Sequence, residues 1–386
     1  MGESGIRDDP RSRRPFSGSA ETATRLGAAL AFLWLFLVGV KALESGISTF
    51  GDDFVDQVFS SVTNPVAGLA AGVLATVLVQ SSSVTTSTIV GLVGAGVLPV
   101  ETAVPMVMGA NIGTTITNTL ASLGHVRQGA YFERAFAAAT VHDYFNLLAV
   151  AVLLPLEIVF GLVSRIARGL AGIVGGLIPS AGTGDSPIKT AVKAPVEALM
   201  DVVGDLGWQS AEGAILLTGG ILLIFMSLWG MTRQMKIVMS GRIESAINGI
   251  LARGAGAAAL LAGLVMTVAV QSSSITTSIL VPLVAAGVLT LDNAFPITLG
   301  ANVGTTVTAL LASMATESPD ALVIALAHVT FNVLGILIFY PYPTLRRIPI
   351  ELARRTGRAV VQRKSIVAVY VIGTFIVVPL SILLMA

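Results

Sequence analysis

Long apolar stretches make up most of this chain, and polar or glycine-rich segments interrupt them at intervals. A helix needs roughly 20 mostly apolar residues to cross a bilayer. Five stretches meet that requirement and are predicted to be simple transmembrane helices: Leu26 to about Leu43, Ala135–Phe160, Ala214–Gly230, Ala321–Tyr340 and Ile366–Met385. The first of these is short, and a signal-peptide core is the alternative. We expect a retained helix, because the long Lys41 side chain can reach the interface.

Two other stretches, 64–122 and 254–316, are longer and more interrupted than a simple span. Each is apolar for about 15 residues, reaches a hydroxyl-rich tetrapeptide and is then apolar again, which suits a re-entrant helical hairpin. The hairpins are predicted at about 64–98 and 254–289. A third, glycine-interrupted apolar piece follows each hairpin and is predicted to be a broken transmembrane helix.

These two stretches are copies of each other. The segment Gln80-Ser81-Ser82-Ser83 recurs as Gln271-Ser272-Ser273-Ser274, and positions 80–117 match 271–308 in 23 of 38 places without a gap. Gly109–Thr115 likewise matches Gly300–Thr306, in the pattern Gly-Ala-Asn-x-Gly-Thr-Thr. The chain therefore contains a duplicated unit.

Loop charges assign the sides of the membrane. Seven Lys and Arg residues lie between 346 and 364, and this basic segment is predicted to be cytoplasmic. An odd number of crossings then separates the two copies, so they run oppositely through the bilayer, as in secondary transporters with broken helices. The predicted segments are a disordered cytoplasmic tail (1–22), repeat 1 (23–160), an external linker (161–210), repeat 2 (211–342), a basic cytoplasmic loop (343–364) and a final transmembrane helix (365–386). The predicted fold is an all-α integral membrane protein with two inverted repeats.

Composition supports the membrane class and removes others. Hydrophobic residues make up 54% of the chain and charged residues 12%, with a mean hydropathy of +0.85; soluble domains carry about 25% charged residues. A net charge of +1 gives no footprint for nucleic acid, and the absence of cysteine excludes disulfides and thiolate metal sites. No hydrolase, P-loop or zinc-protease motif occurs, so we expect no enzyme, no cofactor and no transition metal.

The duplicated turns favour an anion site. A turn in mid-membrane must be buried in protein or face a cavity, and Gln-Ser-Ser-Ser supplies an amide and three hydroxyls beside the positive end of a helix. The predicted anion ligands are Ser81, Ser82, Ser83, Ser272, Ser273, Ser274, Thr115 and Thr306. Oxygen donors near the helix breaks suit sodium, and the predicted sodium ligands are Gln80, Gln271, Asn111, Thr114, Asn302, Thr305 and Asp143. The alternative is that these small residues only pack helices.

Polar residues within or beside the apolar segments carry further predictions. Asp143 lies in an apolar segment and its counterpart is Val329, so we interpret it as a sodium ligand that breaks the symmetry; pairing with His142 or a cytoplasmic-side polar network is the alternative. His142 and His328 each precede an Asn by four residues and are predicted to form helix–helix hydrogen bonds. Glu101 and Asp292 are predicted to anchor the hairpin exits at the interface.

At these residues the sequence resembles the type II sodium-dependent inorganic phosphate cotransporters. The resemblance rests on both Gln-Ser-Ser-Ser turns, both Gly-Ala-Asn-x-Gly-Thr-Thr segments and Thr140–Asn146. It implies that the turns form a shared sodium and phosphate site, and that the protein takes up divalent phosphate with sodium by alternating access in the plasma membrane. The pattern Ala137-x-Ala139-x-x-x-Asp143 is similar to that of the electrogenic members.

Residues 161–210 lack the cysteines and glycosylation sites of animal members, and one segment follows the basic loop, which indicates a bacterial member. Expected partners are phosphate, sodium ions and lipid, without nucleic acid. A sodium-coupled symporter of another anion, carboxylate or sulfate, is the alternative function.

Overall fold

The computed structural model describes residues 19–50, 64–177, 187–239 and 256–385. Within these ranges the chain forms helices and no strand, which confirms the all-α class. The helices are α1 (Ser19–Ser48), α2 (Pro65–Val79), α3 (Ser82–Gly94), α4 (Val100–Gly113), α5 (Ile116–Ser122), α6 (Gly129–Phe160), α7 (Leu162–Leu177), α8 (Pro187–Asp205), α9 (Glu212–Met239), α10 (Ala257–Val270), α11 (Ser273–Ala285), α12 (Leu291–Ser313), α13 (Pro319–Phe339), α14 (Pro343–Gln362) and α15 (Ser365–Met385).

Six of the described helices are long and apolar enough to cross a membrane: α1, α6, α9, α12, α13 and α15. Five of them contain the five predicted simple spans. The shorter apolar pairs α2–α3 and α10–α11 lie where the sequence predicts the hairpins. Their re-entry from opposite faces of the membrane stays a prediction.

The predicted broken helices differ between the copies. In repeat 1 the helix is interrupted only at Thr114 and Thr115, between α4 and α5, and both residues keep right-handed helical dihedral angles. In repeat 2 the prediction of unwinding at Gly300–Thr306 is wrong, because α12 is continuous from Leu291 to Ser313.

The glycines of these segments serve close helix packing instead of unwinding. A Cβ added at Gly109 would lie 2.0 Å from the Leu69 carbonyl oxygen, and one at Gly300 would lie 1.8 Å from that of Leu260. A Cβ added at Gly72 or at Gly263 would likewise lie 2.0 Å from a carbonyl oxygen of the opposing helix. Only glycine allows α2 to touch α4, and α10 to touch α12, at this distance.

The two segments predicted as a linker and a loop are largely helical. The linker contains α7 and α8, and α14 forms most of the basic segment 343–364, whose cytoplasmic side stays a prediction. Helix α14 packs on α6, where Gly357 approaches the Glu133 carbonyl, and α7 packs on α13. Each amphipathic helix, α7 or α14, therefore lies against a long helix of the other repeat.

The predicted anchors at the hairpin exits are ion-paired to these amphipathic helices. Glu101 accepts from Arg168 of α7 at 2.5 Å, and Asp292 accepts from Arg354 of α14 at 2.5 Å. Glu101 and Asp292 are related by the same 191-residue offset as the turns. The duplicated units thus repeat their ion pairs as well as their helices.

Helices α1 and α9 form a tight pair. At four glycines of this pair, an added Cβ would lie within 3.1 Å of a backbone atom or a ring atom of the partner helix. They are Gly39 and Gly46 of α1, and Gly213 and Gly220 of α9. Lys41 of α1 donates to Glu44 at 3.0 Å and to Glu317 at 3.1 Å. Its hydrogen bond holds the pKa of the Glu317 carboxyl below its usual range. The residues of the tail before Ser19 lie outside the described residues.

Gly300→Ala should destabilise the protein, because the new methyl group meets a backbone carbonyl that cannot move aside. Overpacking of this kind costs about 1–3 kcal/mol. The measurement is thermal unfolding of the detergent-purified protein, with Gly219→Ala as the control, since a Cβ at Gly219 meets nothing within 4 Å. Equal unfolding midpoints for the two variants would contradict this packing account.

Candidate functional site

The two Gln-Ser-Ser-Ser turns have the same backbone geometry. Gln80 has φ 55° and Gln271 has φ 57°, and they are the only non-glycine residues with positive φ in the described part of the chain. Each Gln ends one helix with its N–H bonded to the carbonyl four residues earlier, and the following Ser is extended and begins the next helix. Glycine is the usual residue in this left-handed position. Both copies have Gln at this position in place of the less strained glycine, which indicates that the Gln side chain has a function there.

The structure brings the two turns together around one cavity of about 220 Å³. All eight residues of the two tetrapeptides line it, with Val79, Val84 and four residues of α9. This volume is several times the roughly 30 Å³ that one water molecule occupies in the liquid. Two segments 191 residues apart in sequence therefore face a common space.

The cavity attracts anions without a charged lining. None of the described residues that line it carries a formal charge. Helices α3 and α11 both begin there, and the first N–H groups of a helix have no partner within it and carry its positive dipole end. Ser81 and Ser272 cap these helices by accepting from Val84 N–H at 3.3 Å and Ile275 N–H at 3.4 Å.

The next hydroxyls are free for a ligand. Ser82 and Ser273 are only 5% and 3% exposed, and neither hydroxyl has a hydrogen-bond partner among the described residues. These two side chains occupy matching positions of the two copies, so the cavity offers paired donors from both sides.

The glutamine of the second turn makes a side-chain hydrogen bond that the glutamine of the first turn does not make among the described residues. Thr308 donates to Gln271 Oε1 at 2.9 Å and lies 3.4 Å from the Ser83 hydroxyl, which links the two turns. Its counterpart in repeat 1 is Thr117, whose buried hydroxyl has no partner among the described residues. The two halves of the site are therefore similar but not equivalent.

The predicted threonine ligands do not reach the cavity. Thr115 and Thr306 donate to the carbonyls of Ile112 and Val303, three residues earlier in their own helices. Thr114 and Thr305 similarly bond carbonyls four residues earlier. Such back-bonding satisfies a hydroxyl inside an apolar helix bundle. The structure does not bring these four side chains to the space between the turns.

Asn111 and Asn302, predicted as sodium ligands, belong instead to a buried polar network with both histidines. His142 Nε2 lies 3.0 Å from Asn302 Oδ1, and His328 Nε2 lies 3.3 Å from Asn111 Oδ1. Asn302 also donates to Asn146 Oδ1 at 2.9 Å. Each histidine bonds the asparagine of the other repeat, which confirms the predicted helix–helix hydrogen bonding.

Asp143 lies in a separate pocket among hydroxyl groups. It is fully buried, and its Oδ2 accepts from Tyr370 of α15 at 2.7 Å and from Thr119 of α5 at 3.2 Å, with the Thr115 side chain nearby. Its Oδ1 has no partner among the described residues. One carboxylate surrounded by three hydroxyl oxygens is a donor set suited to an alkali cation, so the structure brings Asp143 together with Thr115 but not with the turns.

Sequence reasoning missed two contributors. The first is α9, whose Phe225, Leu228, Trp229 and Thr232 close one side of the cavity. The second is Tyr370, the donor to Asp143. Both lie outside the duplicated motifs. Tyr370 is the one tyrosine of a mostly apolar final span, and that exception was the available signal.

Comparison with known proteins gives consistent matches over most of the chain. A family model described as Na+/Pi-cotransporter matches residues 35–177 and 222–348, which include both turns. The chain is 33% identical to sodium-dependent phosphate transport protein 2A of Ovis aries, over 95% of this chain and 70% of that protein. It is 32% identical to protein 2A of Rattus norvegicus, covering 96% and 69%, and 32% identical to protein 2B of Homo sapiens, covering 93% and 64%. No solved structure matches it.

A double-mutant cycle tests the buried network. His142→Ala and Asn302→Ala should each destabilise the protein, and the double variant should be less destabilised than their sum, with a coupling of about 0.5–3 kcal/mol for residues in direct contact. The measurement is the free energy of unfolding by denaturant titration in detergent. His142→Ala combined with Glu101→Gln is the control, because Glu101 pairs with Arg168 outside the network. Additive effects for His142 and Asn302 would contradict the cross-repeat contact.

Proposed function

The chain belongs to the Na+/Pi-cotransporter family, and from that premise we propose that phosphate binds in the cavity between its two Gln-Ser-Ser-Ser turns. Sodium-coupled phosphate uptake is the activity. The observation that carries the proposed site is the matching pair Ser82 and Ser273, two largely buried serines that line one uncharged cavity. The remaining four serines and both glutamines surround them.

The donors of this cavity suit divalent phosphate. Two helix N-termini supply backbone N–H groups and positive dipole ends, and a serine hydroxyl can donate to a phosphate oxygen. The same hydroxyl can accept the one proton that the divalent ion carries. Because the lining has no positive side chain, the bound charge needs sodium as its counterion. Binding of the anion and of the cation are therefore coupled through one electrostatic requirement.

Sodium ligands are proposed in two places. The amide oxygens of Gln80 and Gln271 line the phosphate cavity, so a cation there would contact the anion directly. Asp143 with Thr115, Thr119 and Tyr370 forms the second place, where a sodium ion would complete the unpartnered Oδ1. Four other predicted sodium ligands do not line the cavity and hydrogen-bond within the helix bundle, so we propose that they hold the helices around these sites: Asn111, Thr114, Asn302 and Thr305.

Transport by alternating access follows from the proposed inverted arrangement. Two copies of one hairpin that enter from opposite sides give a site that either side can expose. The matched contacts of α7 with α13 and of α14 with α6 support this symmetry. The basic helix α14 supports a cytoplasmic position for that end of the repeat, and we propose a plasma-membrane protein with a cytoplasmic N-terminus.

Replacing Ser82 and Ser273 together by Ala should raise the apparent KM for phosphate at least about tenfold, because hydrogen bonds to a charged ligand are lost. The measurement is radiolabelled phosphate uptake into liposomes under an inward sodium gradient. Ser227→Ala is the control. Ser227 is a buried serine of α9 that does not line the cavity, and its hydroxyl has no partner among the described residues.

Unchanged phosphate uptake in the double variant would contradict the proposed site. Arsenate should compete with phosphate, whereas sulfate and succinate should not. Competition by sulfate or succinate instead of arsenate would favour the symporter of another anion.

Asp143→Gly should lower the charge moved per phosphate while leaving some transport, because the proposed second sodium site loses its carboxylate. Currents recorded from proteoliposomes on a solid support, divided by phosphate uptake, give this ratio. Glu157→Gln is the control, since Glu157 is a buried carboxylate that accepts from the N–H groups of Val163 and Ser164. An unchanged ratio in Asp143→Gly would place charge coupling elsewhere.

A further inference from the structure

One wall of the cavity comes from outside the duplicated turns. Phe225, Leu228, Trp229 and Thr232 of α9 lie three, four and seven residues apart, so they share one helix face, and that face closes the cavity. Three of the four are apolar. Thr232 supplies the only hydroxyl that this wall presents to the eight turn residues.

The Thr232 hydroxyl is available for a ligand. It makes no hydrogen bond within the described part of the chain. Thr140 and Thr298, by contrast, bond back to their own helices, to the Phe136 carbonyl at 2.8 Å and the Ala294 carbonyl at 3.1 Å. A threonine that does not satisfy itself in this way keeps a donor and an acceptor for the cavity.

The rest of the wall suits an anion. The Arg233 guanidinium stands 5.4 Å from the centre of the Trp229 ring, a cation–π distance. Trp229 itself lines the cavity, so a positive charge lies behind the apolar wall without entering the site. The apolar side chains of this wall lower the polarity on one side of the cavity, and hydrogen bonds to a ligand are stronger in less polar surroundings.

We propose that Thr232 is a phosphate-binding residue: its hydroxyl contacts the anion held by the two serine turns, and α9 is the third wall of the binding site. This inference rests on the proposed function of the cavity. It makes the site a three-sided one, with two sides related by the repeat and the third supplied by the α1–α9 pair. Anion selection then depends on a residue that the duplicated motifs do not contain.

The test compares three variants in the liposome uptake assay. Thr232→Val removes the hydroxyl at constant size and should raise the apparent KM for phosphate at least about tenfold, whereas Thr232→Ser should stay close to the unmodified protein. Thr218→Val is the matched control, because Thr218 is an exposed threonine of the same helix that does not line the cavity.

A second measurement does not depend on transport. The chain has no cysteine, so Thr232→Cys introduces a unique thiol, and its labelling by a methanethiosulfonate reagent can be followed directly. Inorganic phosphate with sodium should abolish labelling at this position, and should leave labelling of Thr218→Cys unchanged. This arm decides the question if Thr232→Val is not recovered in folded form.

The outcomes separate the two proposals. An unchanged KM in Thr232→Val, or phosphate-independent labelling of Thr232→Cys, would overturn the role of Thr232. If Ser82→Ala with Ser273→Ala still raises the KM in that case, the site between the turns stands without its third wall. If neither set of variants changes the KM, both proposals fall.

Discussion

The structure depends on how the chain satisfies backbone groups at two helix interruptions in apolar surroundings. A helix that ends within a bundle leaves carbonyls at one end and N–H groups at the next start without partners, and lipid offers none. Each Gln-Ser-Ser-Ser turn meets this need with a left-handed Gln whose N–H bonds back to the preceding helix and a Ser that caps the following one. The residues that make each turn also line a shared cavity, which is why we propose that the anion binds there.

The surrounding helices hold the two turns at a fixed separation. Glycines let α2 contact α4 and α10 contact α12 at backbone distance, and the histidine–asparagine network joins the repeats at their centre. The amphipathic helices α7 and α14 each cross to the other repeat. Because every one of these contacts occurs twice, a displacement of one turn has a matched counterpart at the other, as alternating access through inverted repeats requires.

Much of this arrangement could be predicted from the sequence. The near-verbatim recurrence of residues 80–117 located both turns, and apolar length located the simple spans. The pattern could not tell whether Gly300 unwinds its helix or allows a close approach, because both uses need the same missing side chain. Nor could it assign Asn302, since an amide suits a sodium ion and a histidine equally well. The α9 wall was missed because threonine, tryptophan and phenylalanine in a single apolar span are common in helix packing.

The central claim is that a divalent anion is bound by neutral dipoles from two symmetry-related turns. Anomalous diffraction from crystals of the protein grown with sodium arsenate tests it most directly, because arsenic can be located without interpreting weaker density. The account predicts an arsenic peak in the cavity, within hydrogen-bond distance of the Ser82 and Ser273 hydroxyls. A peak beside the arginines of α14, with the cavity empty, would contradict it.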